Sequence, residues 1–276
     1  MTSLELNVVA KPRQFTIDLD ALVIIGGRIA LGVGLLLLWE FSPVLFGLNP
    51  FWFSRPSLVL DKAVLLYHEG VLLTHIGTTM IETVLGLALG CLVGITVGFV
   101  LGANRVLRDV FEPFLLVANA FPKIALAPLF LIWFGIGLEM RVAVAFSLVV
   151  VVMALSTYSG MRMVRQELVH NALAMGASET QIFVKVVLPS VAPWLFAGLK
   201  VSLTFALIGA VLGEFIAAQA GLGYMIDDGM LNFDSALVFL GLVLLLVIVW
   251  LVNTAMQWMG HGLGIDEDSP TTAYNS

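Results

Sequence analysis

The segment Met161–Ser190, MRMVRQELVHNALAMGASETQIFVKVVLPS, is a polar run between two strongly apolar stretches of the chain. It carries too many charges to cross a bilayer, yet its apolar residues recur at the spacing of an amphipathic helix. Gly176 interrupts that spacing, a second short helical run follows, and Leu188-Pro189 is expected to end it. The segment therefore predicts a pair of short helices that offers a surface outside the lipid.

The first helix of this pair has two different faces. Its apolar face carries Leu168, Val169, Ala172 and Met175. Its polar face carries Glu167, His170, Asn171 and Ser178. Two interpretations fit such a helix: its apolar face docks on a protein partner, or it lies on the lipid headgroups as an interfacial helix.

The composition places the chain in a membrane. Of its 276 residues, 60% are hydrophobic and only 12% are charged, and the mean hydropathy is +1.03. A soluble domain of this length would need a larger polar shell. The net charge of −6 leaves no basic face for phosphates, which excludes nucleic acid as a partner.

A search for apolar runs long enough to cross about 30 Å of hydrocarbon predicts an all-α integral membrane protein with six transmembrane helices. The polar run lies between the fourth and the fifth of them. The six candidates are Ala21–Phe46, Ile76–Gly102, Pro113–Phe134, Arg141–Gly160, Val191–Ala218 and Ala236–Gly260.

The distribution of basic residues predicts the orientation, because cytoplasmic loops carry an excess of Lys and Arg. One side would hold Lys11, Arg13, Arg105, Arg108, Arg162, Arg165 and Lys185. The other side would hold only Arg55, Lys62 and Arg141. We therefore expect both termini and the polar run to face the cytoplasm.

The second predicted span carries a glycine at every fourth position. Such a ladder forms a groove along one side of a helix and lets another helix backbone approach closely. Close packing within one subunit and a moving or dimer-forming contact are both compatible with it. The ladder consists of Gly86, Gly90, Gly94, Gly98 and Gly102.

The third predicted span contains Pro122 and Pro128 at membrane depth, with Lys123 beside the first. A proline frees a backbone carbonyl, which is tolerated in a membrane where protein or a water-filled cavity satisfies it. Broken helices of this kind line substrate paths, and a simple packing kink is the alternative. A lysine at mid-bilayer costs about 2.5–3.5 kcal/mol, unless it snorkels to an interface.

Polar side chains inside the predicted spans are candidates for a translocation path, because lipid penalises them unless they have a function or a partner. Hydrogen bonding to a neighbouring backbone carbonyl is the alternative for each. The candidates are His75, Glu82, Asn119, Lys123, Tyr158 and Glu214. Glu214 would meet the substrate or close the outer gate, and Glu82 would face the substrate or pair with His75.

Several motifs, taken in order, resemble the permease subunit of a binding-protein-dependent ABC importer of the nitrate/sulfonate/taurine branch. The family signature is Glu-Ala-Ala, three residues, Gly, nine residues and Ile-x-Leu-Pro. It corresponds here to His170-Asn171-Ala172, Gly176 and Val186–Pro189, with the spacing kept. Further matches are Pro122–Ala125, Pro128-Leu129, Trp133–Gly137, Pro193, Gly198-Leu199, Glu214 and Gly221–Gly223.

Two positions depart from this family pattern. His170 and Asn171 stand where the signature has Glu and Ala, so a salt bridge from that Glu is missing unless Glu167, one turn earlier, substitutes. Glu82 stands where sulfonate-type members often carry a basic residue. An acid there disfavours an anionic substrate and points to a neutral or heteroaromatic one.

The resemblance implies a dimer of permease subunits, expected to be a homodimer, with two cytoplasmic ATPase subunits and an extracytoplasmic solute-binding protein. The polar run would be the coupling helix, formed by Glu167, Leu168, His170, Asn171, Ala172, Met175, Gly176, Leu188 and Pro189. ATP and Mg²⁺ would bind the partner ATPase, since this chain has no GxxxxGK[ST] motif. No catalytic residue, metal ligand or cofactor is predicted in the chain itself.

The alternative function is a secondary transporter or channel that acts alone. It would show inverted sequence halves and pairs of ionisable residues at the midplane, and the sequence shows no convincing repeat and no paired acids. The predicted organisation is a cytoplasmic segment at residues 1–20, a permease domain at 21–260 with the coupling loop at 161–190, and a cytoplasmic tail at 261–276 in a cell inner membrane protein.

Overall fold

The computed structural model describes residues 19–47, 49 and 52–262, with side chains from residue 23 onward. Within those residues the regular elements are helices and no strand occurs, which confirms the predicted all-α class. The helices are α1 (Leu19–Phe46), α2 (Pro56–His68), α3 (Val71–Ala103), α4 (Arg105–Ala120), α5 (Ala127–Phe134), α6 (Leu138–Arg162), α7 (Gln166–Ala174), α8 (Glu179–Ile182), α9 (Leu188–Ala217), α10 (Leu222–Leu231) and α11 (Ser235–Gly262).

The chain forms two compact units that divide between Ser57 and Leu58. The first contains α1, whose aliphatic side chains are exposed along most of its length, as expected of a lipid-facing helix. The segment after α1 is tied back to it, because Trp39 Nε1 donates to the carbonyl of Ser54 at 2.8 Å. Glu40 accepts hydrogen bonds from the backbone and the hydroxyl of Ser57.

The core of the second unit lies around α6, which packs against α3 and α9. Val149 and Met153 of α6 and Ala206 of α9 are buried together there. A second buried cluster joins Ala127 of α5 to Met140 on α6. The helix α10 packs on α9 and α11.

Five helices are long and apolar enough to cross a membrane, and they match five of the six predicted spans. They are α1, α3, α6, the continuous helix Glu179–Ala217 and α11. The third predicted span, Pro113–Phe134, is not a straight helix. It falls on α4 and α5, which bend by 86° at a break near Phe121, so the count reaches six if this bent pair is one span.

The expectation that Leu188-Pro189 ends the second short helix is wrong. The helix that starts at Glu179 continues through a π-helical turn at Phe183–Val187 into α9. A proline cannot donate the backbone hydrogen bond of a regular helix, and a single wide π turn is a common way to accommodate an irregularity. Pro189 therefore sits in the first turn of α9, where a missing N–H is tolerated.

The glycine ladder of α3 faces α6 at each of its five positions. A side chain at any of them would collide with α6, so the two helices touch backbone to backbone. The groove is thus filled by a helix of the same chain. The positions that meet are Gly86 with Ala145, Gly90 with Val149, Gly94 with Val150 and Met153, Gly98 with Thr157, and Gly102 with Met161.

We expect Gly94→Ala to destabilise the protein by about 1–3 kcal/mol, the usual cost of overpacking. A Cβ at residue 94 would lie 2.6 Å from the carbonyl oxygen of Val150 and 2.7 Å from Cβ of Met153. The measurement is thermal unfolding of the purified full chain in detergent. Unfolding is monitored as loss of the monodisperse peak in size-exclusion chromatography after heating.

The matched control is Gly77→Ala on the same helix, where an added Cβ would meet nothing within 4 Å. Alanine is the better helix former, so this variant should be as stable as the wild type or more stable. Equal unfolding temperatures for Gly94→Ala and Gly77→Ala would contradict the backbone contact between α3 and α6.

Candidate functional sites

The segment between α6 and α9 presents an apolar surface that the described residues of the chain leave uncovered. The helix α7 has no buried residue. Leu168 is 43% exposed, Leu173 is 52% exposed and Met175 is 83% exposed. Among the polar residues predicted for coupling, His170 and Asn171 are exposed and Ala172 is half-buried. Exposed apolar side chains on a short helix outside the spans make this segment a candidate docking surface.

The end of α7 is fixed by a glycine-dependent cap. Gly176 has φ of 82°, a left-handed conformation that glycine adopts at little cost. Its N–H donates to the carbonyl of Leu173 at 2.9 Å, and the N–H of Ala177 donates to the carbonyl of Ala172 at 3.0 Å. This pattern is a Schellman motif. The predicted break at Gly176 is therefore present.

A capping box starts the next helix directly after this motif. Ser178 Oγ accepts from the N–H of Gln181, and the side chain of Gln181 accepts from the N–H of Ser178. Glu167, proposed as a substitute for the missing signature acid, pairs with Arg165 at 2.9 Å on the exposed surface. The docking surface is thus joined to α9 by two well-defined helix ends and no slack linker.

The second candidate site is a buried polar cluster at the opposite end of α6 from this segment. Glu82 is fully buried, and its Oε1 accepts from Nε of Arg141 at 2.5 Å. The Arg141 guanidinium also donates to the carbonyl of Ala217 at 3.1 Å. The prediction that Glu82 pairs with His75 is therefore wrong. Because the carboxyl group is enclosed and bound to Arg141, it gives no evidence against an anionic substrate.

Glu214 caps the start of α10 from outside that helix. Its side chain is 2% exposed. Oε1 accepts from the hydroxyl of Thr79 at 2.6 Å, and Oε2 accepts from the N–H of Gly223 at 2.6 Å. The N–H of Leu222 donates to Thr79 Oγ1 at 2.8 Å. The first N–H groups of a helix have no partner within it, and an acidic side chain there is stabilised by the helix dipole.

His75 holds the residue just before α10. Its Nδ1 accepts from the N–H of Gly221 at 3.0 Å, and its ring stacks on Tyr224 with centroids 5.8 Å apart. Gly221 has φ of 126°, and a Cβ there would collide with the carboxyl group of Glu214. Side chains of α3 and α9 therefore hold the N-terminus of α10 in place.

The structure thus divides the six predicted pathway residues among three places. His75, Glu82 and Glu214 belong to the buried cluster. Asn119 and Lys123 lie at the break after α4, where Lys123 Nζ donates to the carbonyl of Asn119 at 3.1 Å. Tyr158 is buried near the other end of α6, beneath Arg162.

Sequence reasoning missed Thr79 and the pairing role of Arg141. Thr79 is fully buried and joins Glu214 to α10, but a threonine inside an apolar helix carries no distinctive signal. Arg141 was counted only in the charge distribution. The signal that would have identified it is an arginine at the edge of one span opposite an acid buried in another.

The C-terminal end of α10 is held by an ion pair. Lys62 Nζ of α2 lies 2.5 Å from Oδ2 of Asp234, and Oδ1 of Asp234 accepts from the N–H of Leu237 at the start of α11. Partial burial alone would raise the pKa of Asp234, but Lys62 and the Leu237 N–H outweigh it and hold that pKa below its ordinary value. The turn after α10 is therefore tied to α2.

Residues 86–263 match the family model described as "Binding-protein-dependent transport system inner membrane component". The chain belongs to this family. The resemblance predicted from the sequence motifs is confirmed, and the protein is a multi-pass membrane permease subunit of an ABC importer, not an enzyme. The matched residues include the glycine ladder, the bent pair, α7 and the capped start of α10.

Two relatives whose names state a transported compound show the range of substrates in the family. The chain is 30% identical to the formylaminopyrimidine transport permease protein ThiX of Halalkalibacterium halodurans, over 81% of this chain and 92% of that protein. It is 26% identical to the taurine transport system permease protein TauC of Escherichia coli, over 89% of this chain and 87% of that protein.

The fold is also found in a solved transporter. The structure of the MetNI methionine ABC transporter in an inward-facing conformation superposes with a TM-score of 0.63 at 21% sequence identity. The match covers 72% of this chain and 98% of that chain. The helical arrangement of an ABC permease is thus present here.

We expect Arg141→Met to destabilise the protein by about 3–5 kcal/mol, because it leaves Glu82 buried without its cation. The double variant Arg141→Met/Glu82→Gln should recover part of that loss. The control is Arg162→Met at the other end of α6, whose partner Glu112 is partly exposed, with an expected cost of about 0–1 kcal/mol. Urea unfolding of the purified chain measures all three, and equal costs for the two arginines would contradict a buried ion pair.

We expect the ion pair of Asp234 to make stability depend on pH. Because the folded pKa of Asp234 lies below its ordinary value of about 3.9, the ionised group stabilises the fold above that pH. The contribution is lost as the pH falls through the lowered folded pKa. Asp234→Asn should therefore be less stable than wild type at about pH 7, by about 1 kcal/mol or less, and equal to it in strong acid.

Thermal unfolding at a series of pH values tests this expectation. Asp61→Asn, at an exposed position of α2 beside Lys62, removes the same charge and should leave stability unchanged. A constant difference between Asp234→Asn and wild type at every pH would show that the loss is not electrostatic.

Proposed function

We propose that this chain forms the translocation path of an ATP-driven importer and that residues 163–187 dock on a cytoplasmic ATPase subunit. The exposed apolar side chains of α7 support docking, since the described part of the chain leaves them uncovered. ATP and Mg²⁺ would bind that partner.

The observation that carries this proposal is the continuous helix from Glu179 to Ala217. Its 39 residues span about 58 Å at 1.5 Å per residue. One end follows the α7 surface directly, and the other end contains Glu214, which caps α10. A displacement of α7 by a closing ATPase pair would therefore reach α10 through one rigid element.

The capped start of α10 is suited to a two-state gate. Its hydrogen bonds come from Thr79 and His75 on α3 and from Glu214 on α9. A shift of α9 against α3 would break several of them together, because the partners sit on different helices. ATP binding and hydrolysis would supply the free energy that shifts the population between the two arrangements.

The proposed arrangement places the α7 side in the cytoplasm and the α10 side toward an extracytoplasmic solute-binding protein. The chain would lie in the cell inner membrane with both termini inside, and a second copy would complete the pore. The excess of Lys and Arg near α7 supports this orientation.

The proposed cargo is a small polar organic solute. The relatives' names include a formylaminopyrimidine carrier and a taurine carrier, which are a heteroaromatic compound and a sulfonate. We propose a substrate from these two chemical groups. Enclosure of Glu82 by Arg141 removes the objection to an anion that its charge raised.

We expect Met175→Asp to uncouple ATP hydrolysis from transport without unfolding the permease. Residue 175 is 83% exposed, so the fold should tolerate the change. A charge in the centre of an apolar contact typically costs more than about 2 kcal/mol of binding. The measurement is nucleotide-dependent uptake into vesicles that contain the complex with its cognate ATPase, together with the amount of ATPase that co-purifies.

The control is Asn104→Asp, which adds the same charge on the same side of the protein. Asn104 caps α4 by accepting from the N–H groups of Val106 and Leu107, and aspartate caps equally well. This variant should retain uptake and ATPase binding. If Met175→Asp also retains both, the docking role of α7 is refuted.

A further inference from the structure

A cavity of about 510 Å³ lies between the bent pair α4–α5 and the middle of α6. Its walls are mostly apolar and rich in aromatic rings, among them Phe121, Phe130, Trp133 and Phe146. The ring of Phe130 contacts Trp133 edge-on, with centroids 6.0 Å apart. The volume lies in the range of sites for small organic ligands.

The backbone beside this cavity is irregular at membrane depth. Phe121 and Pro122 lie outside the helices, between α4 and the 3-10 turn Lys123–Leu126. Lipid tails cannot satisfy the polar groups of such a backbone, so it occurs where protein or water covers it. The irregular backbone of this predicted span therefore favours water or protein over hydrocarbon at the open side of the cavity.

Lys123 is the charged residue in the cavity wall. Its ammonium group donates to the carbonyl of Asn119 at 3.1 Å, which leaves two of its three donors for other partners. In the described parts of the chain no carboxylate lies within ion-pair distance of it. The cations Arg141 and Lys62, in contrast, are each bound to an acid. The cavity thus carries an uncompensated positive charge in apolar surroundings.

We infer that this cavity is a transit site for a small planar organic anion, with the anionic group on Lys123 and the ring against Phe130 and Trp133. A cation in an apolar cleft attracts the opposite charge strongly, because water is displaced. Aromatic walls favour a flat, ring-bearing molecule over a chain of the same charge. The inference rests on the proposal that the chain forms a translocation path, and it adds the chemistry of the cargo.

Binding of 4-methylbenzenesulfonate to the full chain in lipid nanodiscs tests the inference. Saturation-transfer NMR of its methyl signal gives the affinity, with empty nanodiscs as the background. The neutral 4-methylbenzenesulfonamide and the ringless methanesulfonate are the comparison probes. We expect the aromatic sulfonate to bind at least about tenfold more tightly than the sulfonamide, the factor typical of a charge-assisted hydrogen bond. It should also bind more tightly than methanesulfonate, which lacks the ring that contacts Phe130 and Trp133.

Variants separate the contribution of the Lys123 charge from that of the aromatic side chains. Lys123→Gln should weaken the aromatic sulfonate about tenfold and leave the sulfonamide unchanged, and Lys123→Arg should restore it. Trp133→Leu should weaken the aromatic sulfonate and leave methanesulfonate unchanged. The control Arg105→Gln removes a cation that is 86% exposed at the start of α4 and should change nothing.

Equal affinity of Lys123→Gln and wild type for the aromatic sulfonate would overturn the inference. Absence of binding, or equal binding of the sulfonamide, would do the same. The measurement contains no ATPase or nucleotide, so the docking role of α7 would stand if it failed. Conversely, loss of that docking role would not affect the result in nanodiscs.

Discussion

The close contact between α3 and α6 is the constraint on which the rest of the permease unit depends. Five glycines let the two backbones meet from Gly86 to Gly102, and van der Waals packing of this kind holds helices together in lipid. The contact also sets the distance between Glu82 on α3 and Arg141 on α6. A wider spacing would leave a fully buried carboxylate without its cation.

The buried cluster depends on that contact, and it supplies acceptors for the N–H groups at the start of α10 that have no partner within the helix. The side chains that accept from the start of α10 come from α3 and α9, and the N–H groups that donate to them belong to Gly221 and α10. Side chains on separate helices can satisfy a helix end only while those helices keep their positions. The hydrogen bonds of this cluster therefore depend on the relative positions of α3 and α9.

Much of the fold was predictable from the sequence because it follows from local patterns. Apolar runs predict the straight spans, Gly176 predicts the end of α7, and the glycine ladder predicts a close contact between two helices. The bend of 86° between α4 and α5 could not be predicted, since prolines permit a kink without fixing its angle. The continuous passage through Pro189 was missed because a proline normally ends a helix and the π turn before it has no simple sequence signature.

The buried cluster was only half predictable. His75, Glu82 and Glu214 could be identified as candidates because they are polar residues inside apolar spans. Their partners depend on which helices are neighbours, and a single sequence does not show which helices pack together. Glu82 was therefore interpreted as evidence about the substrate, whereas its partner Arg141 comes from another helix. The contact between Asn119 and Lys123 was likewise not predicted, although the two residues lie one helical turn apart.

The π turn at Phe183–Val187 determines how the apolar face of α7 is rotated about the helix axis relative to α9. A π turn holds one residue more than a regular turn, and one residue corresponds to about 100° of rotation around the helix axis. Loss of that single residue would leave α7 and α9 intact and turn the apolar face of α7 by more than a quarter of a circle. The direction in which the apolar face of α7 points is thus encoded in the length of one turn, separately from the chemistry of the surface.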